Sequence, residues 1–283
     1  MFAYIANMMK IQLILVNGRI SPTSFSGYKH LKFFFKDVLS WFDKILMQTK
    51  GDKERMIAIG APEEKTEVMG NLKFDIDKNL SSDEVQNLKD EIKLNKNRLF
   101  IVASTHKGED ELALNVFSHI KNKNPDAKLL IAPRHPQRYE QVEELIKKTG
   151  YNYSKRSLHG NFEQNEIIML DTMGELSKMF SLGYLAFIGG SFSNTGGHNP
   201  LEANIWDVPV LSGPTVFNFK DIYKQLTKEG AAIIVNTEED FINTALEFYL
   251  DKNYHDKISS ICKSIFDNSR GALNYVINYL NSK

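Results

Sequence analysis

Along the chain, short runs of consecutive apolar residues alternate with stretches whose apolar positions recur every three or four residues. Buried strands and amphipathic helices alternate in this way in α/β proteins with parallel sheets. The pattern predicts strands near residues 12–17, 44–48, 66–69, 98–103, 128–132, 151–154, 166–170, 184–189, 208–211 and 231–235. Helices are expected over 52–59, 82–94, 109–121, 137–149, 175–181, 200–206, 238–251 and 255–281. Residues 11–16, Ile-Gln-Leu-Ile-Leu-Val, read as a buried strand entered almost at once. From Asp75 to Ser82 the pattern lapses into a polar joint that suits a domain boundary. The expected organisation is half a domain over residues 1–77, then a complete doubly wound domain over 78–283 ending in a crossing helix.

Composition narrows the function classes. The 283 residues have room for about two domains, and 42% apolar with 25% charged residues excludes a disordered or coiled-coil chain. Lys plus Arg and Asp plus Glu are each 35, so no global field draws the protein to nucleic acid. Any anion site must be local. Cys262 is the single cysteine, which excludes an internal disulfide and a thiolate-rich zinc cage and fits the reducing cytoplasm. No apolar stretch reaches the roughly 20 residues of a membrane span, and no signal peptide is recognisable.

Four segments at expected strand ends carry the candidate chemistry, because ligands of open parallel sheets bind beyond the carboxyl ends of strands. In Ala103-Ser104-Thr105-His106-Lys107-Gly108-Glu109, hydroxyls and N–H groups can face an anion, or Ser104 or Thr105 can simply cap a helix. Ala132-Pro133-Arg134-His135-Pro136 presents Arg134 to a phosphate or a flat base, or else to solvent, while His135 reads as a loop residue without metal-ligand spacing. Asp171-Thr172-Met173-Gly174-Glu175-Leu176 has capping-box spacing from Thr172 to Glu175; capping leaves Gly174, which allows a ligand close to the backbone, unexplained. The segment from Phe187 to Glu202 holds Gly189, Gly190, Gly196 and Gly197, then an Asn199 cap and Pro200 at a helix start. Glu202 there can complete the cap or accept both hydroxyls of a ribose.

These segments, with Asn17-Gly18-Arg19-Ile20-Ser21 and Gly70-Asn71-Leu72-Lys73-Phe74-Asp75 before them, resemble the bacterial 3-deoxy-D-manno-octulosonate (Kdo) transferases over nearly the whole chain. The resemblance implies a GT-B-like α/β fold of two Rossmann-type domains, the N-terminal one incomplete. It implies an inverting, metal-independent glycosyltransferase that moves Kdo from CMP-Kdo to a lipid A precursor in lipopolysaccharide biosynthesis, with no cofactor. Pro133 and Arg134, then Met173, Gly174 and Glu175, then Asn199, Pro200, Leu201 and Glu202 would contact CMP. Ser104, Gly189, Gly190 and Ser191 would approach phosphate or sugar. The family's general-base Glu and its membrane anchor are expected upstream of Met1, so no catalytic residue is assigned, and Asp37, Asp43 and Asp52 match no family motif. The implied location is peripheral, at the cytoplasmic face of the inner membrane, or soluble if the upstream anchor is absent. Two other readings stay open: a non-catalytic nucleotide-binding remnant or subunit of a split enzyme, and a UDP-sugar transferase or epimerase of the GT-B class. Residues 28–36 read as a packed helix with a core stripe of Tyr28, Leu31, Phe35, Val38 and Phe42, against the alternative of an interfacial helix that sets Phe33 and Phe34 beside Lys29, Lys32 and Lys36. Tyr275, Ile277 and Leu280 are expected to pack the crossing helix.

Overall fold

The computed structural model describes residues 1–78, 80–94, 98–158 and 162–282. The strands are β1 (Ile14–Gly18), β2 (Lys44–Met47), β3 (Thr66–Val68), β4 (Leu99–Thr105), β5 (Lys128–Pro133), β6 (Tyr153–Lys155), β7 (Ile167–Met169), β8 (Gly183–Ile188), β9 (Val210–Ser212) and β10 (Ala232–Ile234). The helices are α1 (Phe2–Met8), α2 (Pro22–His30), α3 (Lys32–Ser40), α4 (Lys50–Ala58), α5 (Ser82–Glu91), α6 (Glu109–Lys123), α7 (Tyr139–Thr149), α8 (Leu176–Met179), α9 (Leu201–Asn204), α10 (Lys220–Glu229), α11 (Glu238–Leu250), α12 (Lys252–Ser269) and α13 (Ala272–Asn281). Each expected strand has its counterpart, and all their pairings are parallel. The chain divides into two compact units, Met1–Ile76 with Phe266–Lys283, and Asp77–Ile265.

In the first unit β1, β2 and β3 pair in sequence order. Ile45 and Met47 of β2 pack with Ile20, Leu39, Met56 and Ile59 on one side, and Leu46 with Met69 and Ala272 on the other. Helix α1 precedes β1, so the strand is not entered at once; Phe2 and Met8 stay exposed, and no buried periodicity marks the helix. The stripe expected from Tyr28 onward is interrupted at Leu31, whose φ of −106° and ψ of 24° separate α2 from α3. That break moves the phase: Phe35, Leu39 and Phe42 reach the core, whereas Tyr28 and Leu31 are exposed.

The two early motifs are structural joints. Ile20 N–H donates to Asp52 Oδ1 at 3.0 Å, Ser21 accepts the Ser24 N–H at 3.0 Å to cap α2, and Arg55 Nη2 holds Asp52 at 2.8 Å. Asp52 is buried; burial alone would raise its carboxyl, but the bonds from Thr49, Arg55 and Ile20 leave it below the usual range. In the second motif Phe74 packs edge-on against Phe266, and Asp75 accepts the N–H groups of Gly271 and Leu273 at 2.6 and 2.7 Å. Gly271, at φ +108°, divides the expected 255–281 helix into α12 and α13. Tyr275 and Val276 pack on the Leu46 cluster, while Ile277 and Leu280 remain exposed.

The second unit is a seven-stranded sheet ordered β10-β9-β8-β4-β5-β7-β6. Its centre is dry: Leu99–Val102, Leu129–Ile131 and Leu185–Phe187 have no exposed surface. From β4 the chain adds β5, places β6 at the edge and inserts β7 between them, then returns to place β8 against β4 and steps through β9 to β10 at the other edge. The reversal makes a switch point at the carboxyl ends of β4 and β8, where a crevice opens in such sheets. Helix α10, absent from the sequence reading, buries Ile222, Tyr223 and Leu226. Cys262 is buried against Asn204 and unpaired with another cysteine.

Candidate functional site

Two strand ends build the crevice. On β4 the register with β5 slips between Ala103 and Thr105, and Ser104 sits at φ +56°, so a bulge turns the chain at the switch point. On β8, Gly189 N–H still donates to Ala103 O at 2.8 Å, and a Cβ on Gly189 would lie 2.6 Å from Ser104 O. Only glycine permits that approach. Gly190 follows at φ +70°, with the His198 ring 3.0 Å from where its Cβ would be.

The turn is organised by a residue that the motif reading left aside. Glu109, at the start of α6 and almost fully buried, accepts four backbone N–H groups. Its Oε2 takes His106 at 2.8 Å and Gly190 at 2.7 Å; its Oε1 takes Ser191 at 2.9 Å and Phe192 at 2.8 Å. Thus the N–H groups of the glycine-rich turn at Gly190 and Ser191 already have a carboxylate. Ser191 is itself buried, donating to Ile188 O and accepting from Gly213 N–H, both at 2.8 Å. Neither Ser104 nor Thr105 caps α6, whose N-cap position is Gly108 in the left-handed region; Thr105 instead donates to Asp110, beside which Arg138 is held.

A cavity of about 390 Å³ opens at this point, and Ser104, Arg134, Gly174, Asn199 and Glu202 meet in its wall with His198. Leu176, Phe180 and Phe219 add apolar surface suited to a flat ring. Asn199 Oδ1 accepts the Leu201 N–H at 3.2 Å and its Nδ2 donates to Glu202 Oε1 at 3.3 Å, so Asn199 tethers Glu202, while α9 starts one residue later than expected, with Pro200 and not Asn199 at its N-cap. Burial raises the Glu202 carboxyl above its usual range, opposed by the Asn199 bond and the Arg134 charge.

The remaining expected residues lie elsewhere. Pro133, Pro200 and Leu201 are buried supports, Gly189 and Gly190 lie within the turn, and Met173 is 73% exposed beside the Tyr139 hydroxyl. Glu175 is drawn into an ion pair with the buried Arg156, at 3.0 Å, and accepts from the Thr172 hydroxyl. The sequence reading missed Arg156, whose separation from Glu175 is 19 residues and which no local spacing marks. His106 Nε2 meets His198 Nε2 at 3.0 Å across 92 residues, with the His135 ring edge-on to His106. Burial and neighbouring cations hold His198 down to about 4 and His106 below its usual value. Among the described residues no cluster suited to a metal ion is present.

Parallel α/β units with a ligand-sized cavity at the switch point define a chain of the GT-B fold. The family model for 3-deoxy-D-manno-octulosonic-acid transferase (kdotransferase) matches residues 1–76. A bifunctional glycosyltransferase/methyltransferase of Fusobacterium nucleatum is 36% identical over 274 residues, which are 95% of this chain and 42% of that protein. The 3-deoxy-D-manno-octulosonic acid transferase of Haemophilus influenzae is 32% identical over 278 residues, 96% of this chain and 64% of that one. The solved C-terminal CMP-Kdo binding domain of WaaA from Acinetobacter baumannii covers 65% of this chain and 96% of its own at a TM-score of 0.61 and 25% identity. In sequence the chain is similar to Kdo transferases over most of its length, and its first 76 residues match their N-terminal family model. It spans less than two thirds of the length of these two curated relatives.

Proposed function

We propose that the second unit binds the CMP part of CMP-Kdo in this cavity, on the donor side of Kdo transfer to a lipid A precursor. The observation that carries the reading is the meeting of Arg134, Gly174, Asn199 and Glu202 in one wall at the β4/β8 switch point. Arg134 is the cation for the phosphate, and Glu202, tethered by Asn199, is the acceptor for ribose hydroxyls. Gly174, at φ +83° with open space around it, lets the base edge reach the backbone. Transfer by inversion needs the acceptor oxygen to attack the anomeric carbon as the bond to the CMP phosphate breaks. Arg134 would then stabilise the charge that gathers on the departing phosphate. Calorimetry with CMP and UDP tests the reading: CMP is expected to bind at least about tenfold more tightly, and Arg134→Ala and Glu202→Ala are each expected to weaken it. Equal affinity for UDP would instead favour a UDP-sugar enzyme.

Peripheral membrane contact belongs to the same proposal. Phe33 and Phe34 are 76% and 55% exposed, on α3 beside Lys32 and Lys36, and aromatic rings among cations suit an anionic lipid surface. Among the described residues no helix is long and apolar enough to cross a membrane. Co-sedimentation with phosphatidylglycerol vesicles is expected for the native chain and to drop in a Phe33→Ser, Phe34→Ser variant; unchanged sedimentation would remove this face from the proposal.

A further inference from the structure

His198, in the cavity wall, meets His106 nitrogen to nitrogen. His106 Nε2 and His198 Nε2 are 3.0 Å apart, and their rings are within 13° of parallel with centroids 5.2 Å apart. Such a contact holds one proton: one ring donates through Nε2–H and the other accepts. In the neutral pair the donor ring therefore keeps a bare Nδ1, while the acceptor ring carries its proton on Nδ1. One further proton, added at the bare Nδ1, leaves the contact intact, converts it to a charge-assisted bond and makes both Nδ1 atoms donors. A second would set two N–H groups head to head. The geometry thus accommodates a single added positive charge, shared by two rings.

The surroundings decide when that charge is acceptable. Arg134, His135 and Arg138 approach from the end of β5, and Glu109 from the start of α6; Glu202 lines the same cavity from α9. In the free protein, burial together with the nearby cations keeps both rings neutral at pH 7. The Glu109 carboxylate is committed to four N–H groups of the turn, one of them from His106 itself. An entering phosphate brings the missing negative charge to the wall that His198 and Arg134 share.

We infer that the His106–His198 pair is a proton-loading receptor for the nucleotide phosphate: binding of the phosphate beside Arg134 draws one proton from solvent onto the pair. This rests on the CMP reading given above. Binding then weakens as pH rises, because the proton becomes harder to supply. The pair also holds a charge-assisted donor against the phosphate as it departs.

Calorimetry of CMP binding at about pH 7.5, where the phosphate is already a dianion, in Tris and in PIPES counts the protons taken up. About one proton per CMP is expected, with none for cytidine, and His106→Asn and His198→Asn should each abolish the uptake and weaken CMP about tenfold. Nitrogen-15 spectra of the histidine rings in the native chain give a readout independent of whether those variants fold: CMP should move the ring nitrogens of the pair to imidazolium positions. CMP binding without proton uptake, equal uptake with cytidine, or histidine spectra unchanged by bound CMP would overturn the inference and leave the nucleotide site standing. Failure of CMP to bind at all would overturn both.

Discussion

Two glutamates stand near the same cavity and do opposite things. Glu109 is 1% exposed and saturated by four backbone N–H groups, whereas Glu202 has one side-chain partner and faces the cavity. Both follow a β-strand at the start of a helix, so local sequence makes them look alike. The difference is in what the fold brings to each. Glu109 receives N–H groups 81 to 83 residues away on the turn after β8, while Glu202 keeps acceptor capacity that a ligand hydroxyl can use. One carboxylate is spent on shape, the other remains available for chemistry.

The sharpest way to break this contrast is Glu109→Ala. Removing one acceptor leaves several buried N–H groups unpaired, and the expected loss is about 3 kcal/mol or more of stability, read from the urea midpoint, with CMP binding lost as well. A loss under about 0.5 kcal/mol would place Glu109 in the same category as any surface residue. Next is Gly190→Ala, which puts a methyl 3.0 Å from the His198 ring at φ +70°; about 1–2 kcal/mol is expected. Glu202→Gln should behave in the opposite sense to Glu109→Ala. It removes a partly desolvated charge, so stability at pH 7 should be unchanged or slightly higher, within about 0.5 kcal/mol, while CMP affinity falls. Loss of stability without loss of CMP affinity would reverse the two roles.

Acid supplies a milder test. His198 titrates at about 4 in the fold against 6.5 unfolded, so its contribution is complete above pH 6.5 and is lost as the pH falls toward 4, where the unfolded chain binds the extra proton. Stability should decline over that window in the native chain and less steeply in His198→Asn; parallel curves would remove His198 from the account. The smallest effect is expected for Met173→Ala. That side chain is largely exposed, and stability should move by less than about 0.5 kcal/mol, which thermal unfolding can check.

Apolar runs such as Leu99–Val102 and Leu185–Phe187 made the strands legible, because a strand buried on both faces must be apolar throughout. Elements without a continuous buried period were harder to read. Helix α1 leaves Phe2 and Met8 in solvent, and the break at Leu31 rotates the apolar face between α2 and α3. Local chemistry was partly legible over the same span: Asn199 accepts the Leu201 N–H and reaches Glu202 three residues on, but α9 has Pro200 at its N-cap in place of Asn199.

By itself the sequence determined the parallel α/β character and the strands, because burial periodicity and turn stereochemistry act over a few residues; the resemblance to Kdo transferases supplied a longer set of candidate site residues, of which Arg134, Gly174, Asn199 and Glu202 line the cavity. Only the tertiary structure decided that the glycine-rich turn gives its N–H groups to Glu109, that Arg156 holds Glu175, and that His106 meets His198. Hydrogen bonds and charge pairs between distant segments depend on strand order, and strand order leaves no periodic mark in the chain.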